Sequence, residues 1–197
     1  ATPPQFVAFL SGVAGGGKSY VLELVCDIIK MLYGEKYGAL KIAPTGIAAI
    51  ACGGNVVDRI FRVNRNGRTF VKLSPASDDL TIRQDLFRTT KVVLVDEFSM
   101  WGKKLFGHYV GRCNELFNDG VHDENNNGEF FGGVPMTIFT GGGKQLQPVL
   151  DTAPYACEDN TASSFKLVGK LAYDSIRHHY ILDESVRQVQ DKGFIQM

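Results

Sequence analysis

The sequence predicts an α/β fold in which a mostly parallel central sheet lies between layers of helices. Short apolar runs of strand length alternate with segments that are apolar at helical spacing, as in chains built from right-handed β–α–β units. Within the predicted strand 91–95, residues 92–95 form a continuous Val/Leu run, which is typical of a parallel strand covered on both faces. A glycine-rich loop joins the first predicted strand to the first predicted helix.

Composition limits the class of protein. The 197 residues suit one domain, and 21 basic residues balance 21 acidic ones, so no overall basic field indicates nucleic acid. The four cysteines contain no C-x-x-C pair, and the four histidines show no ligand spacing, so we expect reduced thiols and no zinc. We predict a nuclear or cytoplasmic location, with the mitochondrion also open. No signal peptide or membrane-spanning stretch is present, so no membrane partner is expected.

Residues 12–19 read GVAGGGKS and match the phosphate-loop pattern G-x-x-x-x-G-K-[ST] at every fixed position. A strand at 6–10 precedes them and a helix at 20–30 follows, which is the context in which this loop binds a nucleoside triphosphate. Lys18 is expected to reach the β- and γ-phosphates, and the Ser19 hydroxyl to bind a magnesium ion. The alternative is a glycine-rich turn without a ligand. The predicted nucleotide-binding residues are Gly12, Val13, Ala14, Gly15, Gly16, Gly17, Lys18, Ser19 and Tyr20.

Two acids follow the Val/Leu strand at 91–95. Ligands of parallel sheets bind beyond the carboxyl ends of the strands, which is where these acids lie. Asp96 is therefore predicted to hold the magnesium ion, and Glu97 to orient and deprotonate a water aimed at the γ-phosphate. Such a pair alone often caps a helix instead, but beside a phosphate loop the catalytic role is favoured.

The remaining predicted strands are 39–43, 136–140 and 180–182, and the remaining helices are 47–52, 103–117 and 167–175. Residues 118–132 are predicted to form a flexible surface loop, because most of them are polar and turn-forming.

Residues 59–72 carry five basic side chains with no acid among them. They could track a phosphate backbone, or they could belong to a solvated hairpin, since residues 64–68 are typical of a turn. We therefore treat 59–90 as a candidate inserted hairpin subdomain, with both interpretations open. The basic residues are Arg59, Arg62, Arg65, Arg68 and Lys72.

Four further stretches point to one family: APTGIAA at 43–49, LVDEFSM at 94–100, FGGVPM at 131–136 leading into GGGKQLQPV at 141–149, and LDESVRQ at 182–188. Together with the phosphate loop they closely resemble the first motor domain of PIF-one/RecD-type DNA helicases of superfamily one. The nearest similarity is to PIF-one-like proteins of eukaryotes and Helitron transposons. The resemblance covers nearly the whole chain and implies a single three-layer, RecA-like P-loop NTPase domain over 1–197.

The resemblance also implies residue roles. Gln145 would sense the γ-phosphate and Arg187 would stabilise transition-state charge; without the family, a polar loop residue and a surface salt bridge with Asp183 or Glu184 would be favoured. Single-stranded DNA would lie against the start of the helix after the second strand, because free N–H groups there can bind a phosphate. The residues implied to contact DNA are Pro44, Thr45, Gly46 and Asn55.

The chain departs from the family pattern inside these motifs. Gly16 stands where the family usually has threonine, Asp58 where it has histidine, Gly142 where it has aspartate, and Gln147 where it has proline. Asp58 would oppose a nearby DNA phosphate. These departures leave nucleotide binding credible and put its coupling to DNA in question.

We therefore predict the ATP-binding motor domain of an ATP-dependent 5′–3′ DNA helicase, with ATP and Mg²⁺ as cofactors. The second motor domain of such helicases does not fit in 197 residues and is expected elsewhere in the full-length protein. Weak nucleotide binding and very slow hydrolysis are expected of this domain alone. The alternative is a degenerate nucleotide-binding module without turnover. A small-molecule kinase shares the loop, but it does not explain residues 43–49 or 145–149.

Overall fold

The computed structural model describes residues 5–34, 38–63, 71–74, 78–117, 130–142, 146–149, 151–156 and 164–184. The strands are β1 (Phe6–Gly12), β2 (Ala39–Ala43), β3 (Asn55–Val56), β4 (Val92–Val95), β5 (Met136–Gly141) and β6 (His178–Leu182). The α-helices are α1 (Lys18–Tyr33), α2 (Gly46–Ala51), α3 (Val57–Phe61), α4 (Asp78–Arg88), α5 (Lys103–Phe117) and α6 (Ser164–Asp174). Short 3₁₀ helices lie at Phe98–Met100 and Phe131–Gly133.

The six strands form one sheet in the order β3-β2-β4-β5-β1-β6, and every neighbouring pair is parallel. The predicted α/β fold with a parallel sheet is confirmed. Because all strands run the same way, the segments that follow them meet along one edge of the sheet. This carboxyl edge brings together the loop after β1, the start of α2 after β2, and the acids after β4.

Helices cover both faces of the sheet, and β4 shows the division most clearly. Its four residues are all buried, with Val93 and Val95 in a large aromatic core and Val92 and Leu94 in a smaller core under α1. Side chains of a strand alternate between the two faces, so a strand between two cores must be apolar throughout. The continuous Val/Leu run is explained in this way.

The predicted strands at 6–10, 39–43, 91–95, 136–140 and 180–182 are all present, with ends shifted by no more than two residues. Helices are present at each predicted position. The sequence did not predict β3, α3 or α4. β3 has two residues and α3 has five, which is too short for a periodic pattern to develop, and α4 carries five charged residues among eleven.

Two regions predicted to be irregular are described only in part. The described residues of 59–90 contain the end of α3 and all of α4, and no strand of a hairpin; the predicted turn at 64–68 lies outside the described residues. Of the predicted flexible loop 118–132, the last residues are packed. Phe131 is buried, and the Gly132 N–H donates to Asn114 Oδ1 at 2.9 Å. The aromatic ring adds apolar area to the large core, which fixes this end of the segment.

None of the helices in the described ranges is both long enough and apolar enough to cross a bilayer.

Candidate nucleotide and DNA sites

The loop between β1 and α1 has the backbone shape that its glycines permit. Gly15 and Gly17 have φ values of 77° and 89°, in the left-handed region that glycine tolerates without strain. Gly17 is also the N-cap of α1, and the Gly16 N–H donates to the Val13 carbonyl at 3.1 Å. The loop therefore curls at the positive end of the helix dipole, which is where a phosphate would bind.

The loop is packed against the end of β6. The Val13 N–H donates to the Leu182 carbonyl at 3.3 Å, and a Cβ at Gly12 would lie 2.7 Å from the same carbonyl oxygen. A Cβ at Gly16 would lie 3.2 Å from the Val13 carbonyl and 3.4 Å from the carbonyl oxygens of Leu182 and Glu184. Gly16, where the family usually has threonine, thus lies in a confined space between the loop and the residues at the end of β6 and just after it.

Lys18 is the buried cation of the loop. Its side chain lies at the first position of α1, and Nζ donates to the carbonyls of Gly12 and Val13 at 2.9 and 3.0 Å. An ammonium group has three donors, so these two bonds fix its position and leave the third for a ligand phosphate. Ser19 and Tyr20 are exposed on the first turn beside it.

Asp96 is held at the carboxyl end of β4. Its Oδ1 accepts hydrogen bonds from the Glu97 N–H at 2.9 Å and from the Thr140 hydroxyl at 2.6 Å. Oδ2 has no partner among the described residues. Sequence reasoning missed Thr140, which lies next to the last residue of the buried strand β5 and directly before the Gly141–Gly143 run. A polar residue at the carboxyl end of such a strand was the signal available.

Glu97 has a left-handed backbone, with φ at 52°, which is uncommon for a residue with a side chain. Burial raises the pKa of its carboxyl above the usual value, the charge of Asp96 raises it further, and the charge of Lys18 lowers it in part. Because the charge of Lys18 acts on Glu97, the acids after β4 and the loop after β1 interact electrostatically. Strained backbone and a raised pKa both concentrate at functional sites.

Ser19 and Asp96 have the chemistry to bind Mg²⁺. Both offer hard oxygen ligands, and Mg²⁺ in nucleotide sites is held by one or two protein oxygens together with phosphates and water. Within the described ranges no cluster of three or more His, Cys, Asp or Glu side chains forms a separate metal site. Gln145 and Arg187, predicted from the resemblance, lie outside the described residues, so their roles stay predictions.

The predicted DNA residues lie on the same edge of the sheet, after β2. Thr45 is the N-cap of α2, and its hydroxyl accepts from the Ala48 N–H at 3.2 Å. The N–H groups of Gly46 and Ile47 in the first turn have no intrahelical acceptor and can bind an anion. Pro44 is buried and supports this turn, whereas Asn55 is exposed at the start of β3.

The five basic residues of 59–72 are only partly described, since Arg65 and Arg68 lie outside the described residues. Of its other members, Arg62 forms an ion pair with Asp79 at 3.6 Å, while Arg59 and Lys72 are exposed. Asp58 lies in the first turn of α3, where the helix dipole favours a negative charge.

Comparisons with known proteins agree with this geometry. A family model described as "PIF1-like helicase" matches residues 3–192. The chain is 30% identical over 144 residues to the ATP-dependent DNA helicase RRM3 of Saccharomyces cerevisiae, covering 72% of this chain and 18% of RRM3. It is 25% identical over 189 residues to the ATP-dependent DNA helicase PIF1 of the same species, covering 96% of this chain and 20% of PIF1.

Solved structures share the fold. The Pif1 helicase of Candida albicans superposes with a TM-score of 0.67 at 22% identity, over 96% of this chain and 38% of that one. Unliganded Pif1 from Bacteroides gives a TM-score of 0.66 at 22% identity, over 93% of this chain and 39% of that one. The chain thus spans about a fifth of these curated relatives and about two fifths of the chains in these structures.

Proposed function

The chain belongs to the PIF1-like helicase family, and from this premise we propose that it is the ATP-binding motor domain of an ATP-dependent DNA helicase. One observation supports this most directly: the buried Lys18, held over its loop by two carbonyls, and the acids Asp96 and Glu97 lie on the same edge of the sheet. Phosphate binding and attack on the γ-phosphate need these groups together.

Each group has a distinct task in this proposal. The N–H groups of the loop and Lys18 bind the triphosphate, and Ser19 with Asp96 holds Mg²⁺, which neutralises charge on the phosphates. Glu97 accepts the proton of a water that it orients toward the γ-phosphate. Gln145 is proposed to sense that phosphate and Arg187 to stabilise the transition state.

Single-stranded DNA is the proposed second ligand. The unbonded N–H groups at the start of α2 supply a phosphate site that does not read sequence. A Bacteroides Pif1 structure of the same fold is described as bound to ssDNA, with a TM-score of 0.59. We propose contacts to the DNA backbone from Thr45, Gly46 and Asn55, with Pro44 buried beneath them, and movement in the 5′–3′ direction.

A second RecA-like domain in the same polypeptide is proposed to complete the ATP site and to drive movement by closing on it. The three cysteines within the described ranges, Cys26, Cys52 and Cys113, are free and buried. Free thiols fit a reducing compartment, and we propose a nuclear, cytoplasmic or mitochondrial location.

The second candidate is a nucleotide-binding module without turnover. The observation that favours it is the set of departures in the coupling motifs, above all Gly142 in place of aspartate and Asp58 in place of histidine. In that case the phosphate loop binds nucleotide while DNA has no effect on it.

The experiment is an ATPase assay of the full-length protein, with its second motor domain, in the presence and absence of single-stranded DNA. The proposal predicts DNA-stimulated hydrolysis that Lys18→Ala abolishes. Intact stimulated hydrolysis in Lys18→Ala would contradict the assignment of this site. Nucleotide binding without hydrolysis under both conditions would favour the second candidate.

A further inference from the structure

β5 lies between the two strands that carry the proposed nucleotide site. The sheet order places it between β4, which ends at Asp96, and β1, which ends at the phosphate loop. Val95 on β4 is in register with Phe139, and Leu10 on β1 is in register with Thr140. The last residues of β5 therefore reach the carboxyl edge between Asp96 and the phosphate loop.

Thr140 is the residue of β5 that contacts this site. It is fully buried, and its hydroxyl lies 2.6 Å from Asp96 Oδ1 and 3.4 Å from the Val95 carbonyl. A hydroxyl has one proton to donate, and the shorter contact is the one to Asp96. An ionised carboxylate only accepts hydrogen bonds, so the Thr140 hydroxyl must be the donor to it.

The two donors on Oδ1 define the orientation of the carboxylate. The Glu97 N–H at 2.9 Å and the Thr140 hydroxyl restrict rotation about the side-chain torsions of Asp96. Both bonds go to the same oxygen, so Oδ2 stays available for a ligand. Groups that hydrogen-bond a metal-binding carboxylate fix its direction and influence metal affinity.

We propose that Thr140 is a positioning residue for magnesium: its hydroxyl holds Asp96 so that Oδ2 points to the metal beside the phosphates. This inference depends on the proposed function and adds a residue to it from the strand between β1 and β4. Thr140 does not touch nucleotide or metal itself and acts only through Asp96.

The same strand offers a matched control. Thr137 is also on β5 and also fully buried, but its hydroxyl has no hydrogen-bond partner among the described residues. Thr137→Val removes the same atom from the same strand without changing Asp96. Thr140→Ser keeps the hydroxyl and removes only the methyl group.

The test is titration of residues 1–197 with a fluorescent ATP analogue in EDTA and at increasing Mg²⁺. For Thr140→Val we expect unchanged binding in EDTA and a Mg²⁺ requirement that rises about 10-fold. Thr140→Ser and Thr137→Val should titrate as the wild type does. Circular-dichroism melting shows whether each variant is folded, and a folded Thr140→Ser variant with a raised Mg²⁺ requirement would contradict the role given to the hydroxyl even if the valine variant does not fold.

A Mg²⁺ titration of folded Thr140→Val that overlays the wild type would overturn the inference. An equal loss of binding in EDTA and in Mg²⁺ would also overturn it. The hydroxyl would then stabilise the carboxyl edge of the sheet in general and would not position the metal-binding carboxylate in particular. If the wild type shows no Mg²⁺-dependent binding at all, the proposed function itself fails.

Discussion

The two parts of the carboxyl edge of this sheet are built differently. At the ends of β1, β4 and β5, Lys18 is buried and Asp96 is half-buried, and each is held by two hydrogen bonds. Among the groups proposed to bind DNA, Gly46 after β2 and Asn55 at the start of β3 are exposed, Pro44 is buried, and Ile47 beside them is 85% exposed. The nucleotide part is held in place by hydrogen-bonded side chains, and the DNA part is more open to solvent.

This difference explains where the chain tolerates departures from its family. The nucleotide part depends on backbone shape, so the residue at position 16 must fit between Val13 and the residues at the end of β6 and just after it. The DNA part depends mainly on charge and on two helix N–H groups, so Asp58 can replace histidine without disturbing the core. We therefore expect nucleotide binding to be the more robust of the two activities.

The largest expected effect is that of replacing Glu97, which should slow hydrolysis without weakening nucleotide binding. Glu97→Gln keeps the size of the side chain but removes the base, so hydrolysis by the full-length protein should fall roughly 10²–10⁴-fold. Nucleotide affinity should stay close to that of the wild type, because Lys18 and the loop are unchanged. An ATPase assay beside a binding titration measures both, and undiminished hydrolysis would remove Glu97 from its proposed role.

The raised pKa of Glu97 gives a pH test of the same residue. Burial and the charge of Asp96 raise this pKa above the ordinary value of a glutamate in the folded protein. The folded state thus binds the proton more tightly than the unfolded state, and this contribution to stability is lost as the pH rises through the folded-state pKa.

Glu97→Gln should accordingly raise the melting temperature at pH 7 and change it little at pH 4. The rate of hydrolysis should also begin to fall, as the pH is lowered, at a pH above the usual glutamate pKa. Thermal melts at the two pH values measure the first effect; an equal shift at both would show that the buried charge is not its cause.

A smaller effect tests whether the nucleotide part is shaped by its backbone. Gly16→Ala places a Cβ 3.2 Å from the Val13 carbonyl, and the displacement needed should cost about 1 kcal/mol, or roughly fivefold in nucleotide affinity. The control Gly46→Ala adds the same atom on the DNA side, where nothing lies within 4 Å. Equal nucleotide affinities for Gly16→Ala and wild type would show that the loop is less confined than its contacts indicate.

The smallest expected effect is on the DNA part. Asp58→Asn removes a negative charge near the proposed DNA path and should raise affinity for single-stranded DNA by about two- to fivefold at low salt. Nucleotide binding should not change. The control Asp27→Asn makes the same charge change on α1. If both variants gain equally, the effect reflects net charge, and Asp58 does not face the DNA.

Sequence alone predicted most of the sheet, because five of its strands contain short apolar runs, although β6 begins with two histidines. It predicted the ends of those strands to within two residues, and with them the positions of Lys18, Asp96 and Glu97. It missed β3 and α3 because two and five residues are too few to show a period.

The contacts that give the site its properties were harder to predict. Thr140 contacts Asp96 only because β5 lies between β4 and β1, and strand order is not encoded in local spacing. The close approach of Gly12 to Leu182 likewise depends on a segment that is distant in sequence. Local patterns therefore located the site, whereas tertiary packing determines its geometry.

The most direct test of the account is titration of residues 1–197 with a fluorescent ATP analogue, with and without Mg²⁺, for wild type, Lys18→Ala and Lys91→Ala. Lys91 is the matched control, because it precedes β4 at the opposite edge of the sheet. We predict saturable, Mg²⁺-dependent binding that falls on the order of 100-fold in Lys18→Ala, through loss of a charge-assisted contact, and is unchanged in Lys91→Ala. Equal binding by wild type and Lys18→Ala, or no binding by the wild type, would contradict the claim that this edge is a nucleotide site.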